Sequence, residues 1–319
     1  IDFNCYKDFP SEFAFEKTSP DAPALMHFTS GTTGKPKGAL HVHAALLGHF
    51  ATTRHVLGLN RDDIYWCTAD TAWVTGMSYG VFGPLSNAAT QISIEGNLTS
   101  RIIFDTIQRY CVTVMYTAPT LLRMLMREKD ETIRAYNLSS LKHIASVGEA
   151  LNPEIIKWSR EKLGLPVHDT WFQTETGCIM IANTNETDIR PGSMGKPIPP
   201  IEADVLDENF TPVLPGQVGR LAIKPPWPSM FSTYWNNHEA YTAKFKNGWY
   251  ITGDNARKDA DGYFWFVARD DDVINTAGHL ISPFEVESAL LSHPAVAETA
   301  VIGLPDPLIA EKIKAFIVI

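Results

Sequence analysis

Short apolar runs alternate with amphipathic stretches from about Ala24 to Ile181. The apolar runs are "ALMHFTS", "DIYWCTA", "TQISI", "VTVMYTA", "LKHIASVG" and "PVHDTWFQTE". Helix-patterned stretches such as "SRIIFDTIQRYC" and "NPEIIKWSREKLG" separate most of them, and two of these helices are predicted to begin at Pro119 and Pro153. Proline suits a first helical position because the N–H that it lacks is not needed there. Strands and helices in alternation predict a mostly parallel sheet with helices on its faces.

The pattern changes after about Asn183, where short alternating strands are separated by many Pro and Gly residues. This pattern predicts a small all-β unit. Hairpins then lead into a helix that is predicted to begin at Pro283, beyond the polar run Arg269–Asp272. We therefore predict a large N-terminal domain over residues 1–270, with a β-rich subdomain at 184–268, and a second domain over residues 271–319.

Composition narrows the classes of protein that fit these elements. The chain has 319 residues and a formal net charge of -9, so two or more domains are expected and a nucleic-acid surface is disfavoured. The first residues lack the basic start and apolar core of a signal peptide, and no apolar stretch reaches the ~18 residues of a membrane span. Cys5, Cys67, Cys111 and Cys178 lie far apart, which fits a reducing cytosol and neither a zinc site nor a disulfide framework. We expect a cytoplasmic protein with small-molecule partners.

The segment "FTSGTTGKPKGALHVH" has the composition of a phosphate-binding loop. Glycines allow successive backbone N–H groups to turn towards one anion, and hydroxyl and lysine side chains add donors and charge. The P-loop motif does not fit, because only two residues separate Gly31 from Gly34 and Pro36 follows Lys35. His41 and His43 alternate on the following strand, and local hydrogen bonding is favoured over a metal because no third ligand is signalled.

The motif "FTSGTTGKPKG" resembles the phosphate-binding signature of the adenylate-forming superfamily, which includes acyl-CoA synthetases, firefly-type luciferases and peptide-synthetase adenylation domains. Further motifs follow in the order found in the AMP-forming acetyl-CoA synthetases of that superfamily. They are "TADTAWVTGMSYGVFGPL", "YTAPT", "SVGEALNP", "HDTWFQTETG", "YITGDNARKDADGYFWFVARDDDVINTAGHLISPFEVES" and "HPAVAETAVIGLPD". The resemblance extends from about residue 24 to the end of the chain.

The resemblance implies an α/β fold with a layered αβαβα large domain, an appended small β-barrel and the start of an α+β C-terminal lid. It also implies a ligase reaction in which a carboxylate and ATP give an acyl-adenylate and pyrophosphate, and the acyl group then passes to CoA. The implied cofactors are ATP or AMP, Mg²⁺ and coenzyme A. Assembly into a homo-oligomer is compatible with this family.

The same resemblance assigns the nucleotide site. Phosphate binding and catalysis are assigned to Thr29, Ser30, Gly31, Thr32, Thr33, Gly34, Lys35, Lys37 and Glu175. Of these, Glu175 resembles the carboxylate that holds Mg²⁺ against the phosphates. Nucleotide binding is assigned to Gly148, Glu149, Ala150, Asp169, Thr170, Trp171, Phe172, Gln173, Thr174, Asp254 and Arg269. Of these, Asp254 resembles the acid that accepts both ribose hydroxyls.

The remaining assignments concern the acyl group, CoA and domain motion. The acyl pocket is assigned to Trp73, Val74, Thr75, Val147 and Phe172. Acetate-specific members typically carry Trp where this chain has Phe172, so we expect propionate to compete better here than in a Trp enzyme. Gly278 resembles the glycine that lines the pantetheine tunnel. Asp271 resembles the hinge of the lid, although a solvated acidic run is the rival interpretation.

Two other functions stay open at this point. A medium-chain or aryl-CoA ligase is one, although the bulky Trp73 and Phe172 argue against it. A catalytically silent nucleotide-binding domain is the other. The chain runs from Ile1 to Ile319 without the P-x-x-x-x-G-K lysine of the family, so we interpret it as a fragment that lacks both ends and expect impaired adenylation from it alone.

Overall fold

The computed structural model describes residues 10, 12, 14–29, 36–184, 188–270, 272–276, 279–306 and 309–319. In the first part of the chain the strands are β1 (Pro23–Thr29), β2 (Lys37–Val42), β3 (Ile64–Cys67), β4 (Thr90–Ile92), β5 (Val114–Thr117), β6 (His143–Ser146), β7 (Val167–Trp171), β8 (Ile181–Ala182) and β9 (Lys196–Pro197). The later strands are β10 (Ala203–Leu206), β11 (Val218–Ile223), β12 (Thr233–Tyr234), β13 (Phe245–Lys246), β14 (Trp249–Lys258), β15 (Phe264–Arg269), β16 (Ile274–Thr276), β17 (His279–Ile281), β18 (Glu298–Asp306) and β19 (Ala310–Val318).

Helices separate many of these strands. They are α1 (Ala45–His55), α2 (Val74–Met77), α3 (Gly83–Ser86), α4 (Ser100–Tyr110), α5 (Pro119–Met126), α6 (Asp130–Arg134), α7 (Pro153–Lys162), α8 (His238–Ala243) and α9 (Pro283–Leu291). A π-helical turn, Ser78–Phe82, joins α2 to α3. The helix starts that proline predicted are confirmed, because Pro119, Pro153 and Pro283 each open a helix.

A seven-stranded sheet in the order β4-β3-β5-β6-β7-β8-β9 forms the central layer. Its first five strands are parallel, while β8 and β9 are added antiparallel. Alternate residues of one strand enter different apolar clusters: Tyr65 lies in one core and Trp66 in the other. Because both faces are buried, the strands read as continuous apolar runs, as the sequence pattern indicates. The predicted parallel sheet is confirmed for this part of the chain.

The first predicted strand does not join that sheet. β1 pairs antiparallel with β2, and β12 pairs with the other edge of β2, which gives a separate three-stranded sheet. The prediction that "ALMHFTS" opens the parallel series is therefore wrong. The physical reason is the short connection of residues 30–36, since a parallel pairing needs a crossover of about a dozen residues or more.

The β-rich part forms a five-stranded antiparallel sheet in the order β10-β11-β14-β13, with β15 paired to β14. Beyond β15, a four-stranded sheet in the order β17-β16-β19-β18 packs with α9. The change of sheet between Arg269 and Ile274 is compatible with the boundary predicted at residue 271, which stays a prediction. Cys67, Cys111 and Cys178 are free. No helix within the described ranges is long and apolar enough to cross a bilayer.

Candidate active site

A cleft of about 590 Å³ opens where the parallel strands β6 and β7 end. Open α/β sheets bind ligands at the carboxyl ends of their strands, because loops diverge there and leave a crevice. The segments that follow β6 and β7 form one side of this cleft, and β14 and the end of β15 form another. The ends of β1 and β2 that border residues 30–36 also line it, together with residues 72–75, Met194, Tyr234 and Lys244.

The structure brings together most of the residues that the sequence singles out. The predicted residues that line the cleft are Thr29, Lys37, Trp73, Val74, Thr75, Val147, Gly148, Glu149, Ala150, Asp169, Thr170, Trp171, Phe172, Gln173, Thr174, Glu175, Asp254 and Arg269. The predicted residues Ser30, Gly31, Thr32, Thr33, Gly34, Lys35, Asp271 and Gly278 lie outside the described residues. Positions more than 200 residues apart in the sequence, such as Lys37 and Asp254, therefore share one cleft.

Asp254 is a buried carboxyl with fixed orientation. Trp171 Nε1 donates to its Oδ2 at 2.9 Å, and Gln173 Nε2 donates to the same oxygen at 3.1 Å. The other oxygen, Oδ1, lies 4.0 Å from Nε of Arg269. Burial raises the pKa of Asp254 to about 6, although the bond from Trp171 and the charge of Arg269 oppose that rise. One oxygen is thus held by the protein, and the other faces the exposed arginine.

Glu175 is held by hydrogen bonds to its backbone and to its side chain. Its backbone oxygen accepts from the N–H of Phe231 at 3.0 Å, and its Oε1 accepts from the hydroxyl of Tyr234 at 2.6 Å. Nζ of Lys37 lies 5.1 Å from the centre of the Tyr234 ring. The second oxygen, Oε2, makes no hydrogen bond to any residue that the structure describes. A carboxylate oxygen without such a bond fits a ligand of Mg²⁺, which proteins often bind through one or two carboxylates plus substrate phosphates.

Buried histidines lie in and near this part of the cleft, and His27 is one of its lining residues. The Nδ1 of His41 is 3.1 Å from the carbonyl of Ser229, and the rings of His27 and His41 are 6.0 Å apart. Burial lowers the pKa of His27 and of His49 to about 4, so both are neutral near pH 7. His41 makes a hydrogen bond, but its partner Ser229 lies 188 positions away in the sequence, and His43 is exposed. Within the described ranges no three acidic, His or Cys side chains form a metal-binding group.

Hydrogen bonds also hold the segments that follow β6 and β7. Both carboxylate oxygens of Glu149 accept from the hydroxyl of Thr120, at 2.6 and 2.7 Å, and Arg123 donates to one of them at 2.7 Å. Asp169 is fully buried, and burial raises its pKa well above the ordinary value, although a bond from the N–H of Thr170 opposes the rise. These contacts give the cleft preorganised walls.

The predicted acyl pocket is only partly enclosed. The Phe172 ring meets Tyr79 edge-on at 5.3 Å, and the Tyr79 hydroxyl accepts from the N–H of Ile179 at 2.6 Å. Val147 is buried beside them. Trp73 precedes α2 with 71% of its surface exposed, and its place in the acyl pocket stays a prediction. Trp73 is among the residues that line the cleft.

Other lining residues were not singled out from the sequence. They are His27, Phe28, Ala72, Met194, Tyr234, Lys244, Thr252, Gly253, Phe266 and Asp270. Thr252, Gly253 and Asp270 adjoin predicted residues, so their proximity was available from the motifs. Tyr234 and Lys244 lie in "STYWNNHEAYTAKF", whose spacing carries no signal of a site.

These features define a class: a layered α/β protein with a polar cleft of small-molecule size at the carboxyl ends of its parallel strands. The chain belongs to the AMP-binding enzyme family, whose model matches residues 4–235. The model of the AMP-binding enzyme C-terminal domain matches residues 285–319. The resemblance inferred from the motifs is confirmed.

Curated relatives and solved structures agree with this assignment. The chain is 52% identical over 294 residues to the acetyl-coenzyme A synthetase of Bacillus subtilis, covering 92% of this chain and 51% of that protein. It is 45% identical over 327 residues to the acetyl-coenzyme A synthetase of Methanothrix thermoacetophila, covering 98% of this chain and 50% of that protein. The chain thus spans about half the length of the curated relatives it matches.

Two solved structures share the fold. The anthranilate CoA ligase AuaEII, in complex with anthranoyl-AMP, superposes with a TM-score of 0.91 at 32% identity, covering 98% of this chain and 60% of that chain. An acyl-CoA synthetase of Brucella canis superposes with a TM-score of 0.80 at 38% identity, covering 99% of this chain and 58% of that chain. These likenesses confirm the predicted fold class of a large α/β domain and the start of a C-terminal domain.

Proposed function

We propose that the protein is an AMP-forming acyl-CoA ligase for acetate. ATP and acetate give acetyl-adenylate and pyrophosphate, and the acetyl group then passes to the thiol of CoA with release of AMP. The observation that carries this proposal is the single cleft that holds Lys37, Glu175 and Asp254. The relatives named acetyl-coenzyme A synthetase support the choice of acetate.

Each of these groups has a role in the first half-reaction. A carboxylate oxygen of acetate attacks the α-phosphorus, and the bond to the β-phosphate oxygen breaks. Asp254 and Arg269 are proposed to hold the ribose, while Thr29 and Lys37 bind the leaving pyrophosphate together with residues 30–35. Glu175 is proposed to hold Mg²⁺, which neutralises phosphate charge when bound. The walls around the cleft keep these groups in place, so the transition-state charge meets preoriented partners.

The second half-reaction requires the C-terminal part of the protein. We propose that residues 271–319 begin a lid domain that moves about Asp271 and places Gly278 along the path of the CoA thiol. Binding partners are then the short acid, ATP and CoA. The cytosolic location predicted from the cysteines stays a prediction.

Acetate-dependent exchange of labelled pyrophosphate into ATP tests the first half-reaction, and CoA-dependent release of AMP tests the second. Both are measured on purified full-length protein with acetate, propionate, hexanoate and benzoate. We expect exchange with acetate and propionate and none with hexanoate or benzoate. Glu175→Gln is expected to abolish exchange because it removes the carboxylate charge. Exchange with benzoate but not acetate would favour an aryl-CoA ligase, and nucleotide binding without exchange would favour a silent binding domain.

A further inference from the structure

Lys244 is a partly buried cation on the wall of the cleft. It follows α8 directly, and its Nζ donates to the carbonyl oxygen of Thr252 at 3.2 Å. Gln173 Nε2 donates to that same carbonyl at 3.2 Å. An ammonium group carries three donors, so two N–H bonds of Lys244 are left for another acceptor.

The carboxylates nearest in charge effect to Lys244 do not form ion pairs with its ammonium group among the described residues. Glu175, Asp254 and Asp270 influence it electrostatically, but none forms an ion pair with it within 4.0 Å in the part of the chain that the structure describes. Burial lowers the pKa of Lys244, and the charge of Glu175 opposes that effect. A desolvated ammonium group without a contacting anion is unfavourable, so binding of an anion would offset the penalty.

The position of Lys244 selects which anion it meets. It lines the same cleft as Asp254, the proposed ribose ligand, and Glu175, the proposed ligand of the metal and phosphates, and both carboxylates act on it electrostatically. In a nucleotide, the α-phosphate is the group that connects the ribose to the rest of the phosphate chain. We propose that Lys244 binds a nonbridging oxygen of the α-phosphate, in ATP and in AMP. This inference rests on the proposed function.

Calorimetric titration with adenosine, AMP and ATP separates this role from a structural one. The full-length protein is compared with Lys244→Met, Lys244→Arg and a matched control, Lys246→Met, which removes an exposed lysine two positions further on. We expect Lys244→Met to weaken AMP and ATP binding about tenfold or more, because a hydrogen bond to a charged group is lost. Adenosine carries no phosphate, so its affinity should change by less than about twofold. Lys244→Arg should retain most of the AMP affinity, and Lys246→Met should change nothing.

Two outcomes overturn the inference while leaving the proposed function intact. Equal losses for adenosine and AMP would mean that Lys244 only balances the charge of Asp254. Unchanged AMP affinity in Lys244→Met would mean that it does not contact phosphate. If circular dichroism shows that Lys244→Met does not fold, Lys244→Gln, which removes the charge but keeps an N–H donor on a side chain one bond shorter, is put through the same three titrations. A wild-type protein that binds neither AMP nor ATP would overturn the proposed function and this inference with it.

Discussion

The hydroxyl of Tyr234 donates a 2.6 Å hydrogen bond to Oε1 of Glu175, 59 positions away in the sequence. Tyr234 also pairs with Ala39 where β12 meets β2, and its ring lies below Nζ of Lys37. One buried side chain therefore joins the proposed metal carboxylate to the strand that carries a proposed phosphate ligand. The position of Glu175 depends on a residue that no motif includes.

Tyr234→Phe keeps the ring and removes the donor. We expect the affinity for ATP in the presence of Mg²⁺ to fall about three- to tenfold, because the Glu175 carboxylate loses the bond that orients it. Adenosine affinity should not change. Calorimetry at several Mg²⁺ concentrations measures both, with Tyr241→Phe as the control for loss of a tyrosine hydroxyl nearby. Equal effects of the two substitutions would argue against a specific role for Tyr234.

Asp254 should make adenosine binding dependent on pH. The pKa of this buried carboxyl lies near 6, above the ordinary aspartate value of 3.8, so it gains a proton as pH falls below about 6. A protonated carboxyl is a weaker acceptor for two ribose hydroxyls, so adenosine affinity should fall between pH 7 and pH 5. Titrations with adenosine avoid the titration of a phosphate. A flat profile over this range would contradict a raised pKa at the ribose site.

The same shift predicts a conflict between stability and binding. Because the folded protein binds a proton at Asp254 more tightly than the unfolded chain does, the free energy of unfolding falls as pH rises from about 4 to about 6. At pH 7 Asp254→Asn removes that buried charge and should stabilise the protein by up to about 3 kcal/mol. Asp254→Asn should also weaken adenosine binding and abolish the dependence of adenosine affinity on pH between 5 and 7. Thermal unfolding at pH 5 and pH 7 measures the stability change, which should be smaller at pH 5.

Phe172→Trp should change the preference between short acids. The indole adds a second ring beside Tyr79 and shortens the cleft by about a methylene or two, worth roughly 1 to 3 kcal/mol of discrimination per methylene. The ratio of kcat/KM for acetate to that for propionate should therefore rise at least about fivefold. An unchanged ratio would show that Phe172 packs in the core without contacting the acyl group.

Asn152 should contribute more to stability than the ion pair between Arg127 and Glu298, because Asn152 is buried where it contacts α9. Its amide accepts from Arg123 at 3.1 Å and donates to the hydroxyl of Ser288 at 2.9 Å, and the residue is buried. Asn152→Ala should cost about 1 to 3 kcal/mol and increase hydrogen exchange in α9. Arg127→Ala breaks the pair with Glu298, in which both side chains are about half exposed, and should cost less than about 1 kcal/mol. A larger loss of stability in Arg127→Ala than in Asn152→Ala would contradict the argument from burial.

A comparison of Gly177 with Gly216 distinguishes the cost of steric overlap from the cost of backbone strain. Gly177 and Gly216 both have positive φ, +73° and +86°, where a β-carbon is unfavourable by about 1 to 2 kcal/mol. A β-carbon on Gly177 would also lie 2.2 Å from the carbonyl oxygen of Ser229, whereas Gly216 faces open space. Gly177→Ala should therefore cost at least about 3 kcal/mol more than Gly216→Ala by urea unfolding. Similar losses would mean that the Ser229 segment moves aside.

Much of the fold was available from local patterns. Apolar strands with helices between them indicated the parallel sheet, since alternate residues of each strand enter two different cores. The helix starts followed from proline at Pro119 and Pro153, because proline fixes φ and needs no N–H there. The placement of β1 was missed, although the short connection between β1 and β2 favours an antiparallel pair.

The motifs of the sequence by themselves determined the family and most of the cleft, because glycine, hydroxyl and carboxyl residues at fixed spacing are what phosphate and ribose require. Only the tertiary structure decided how those residues are supported and charged. Tyr234 reaches Glu175 through strand pairing, and Lys244 meets the cleft because α8 ends there. The raised pKa of Asp254 follows from burial, which the hydrogen bond from Trp171 opposes. Hydrogen bonds and desolvation depend on distance in space, and these residues are distant in sequence.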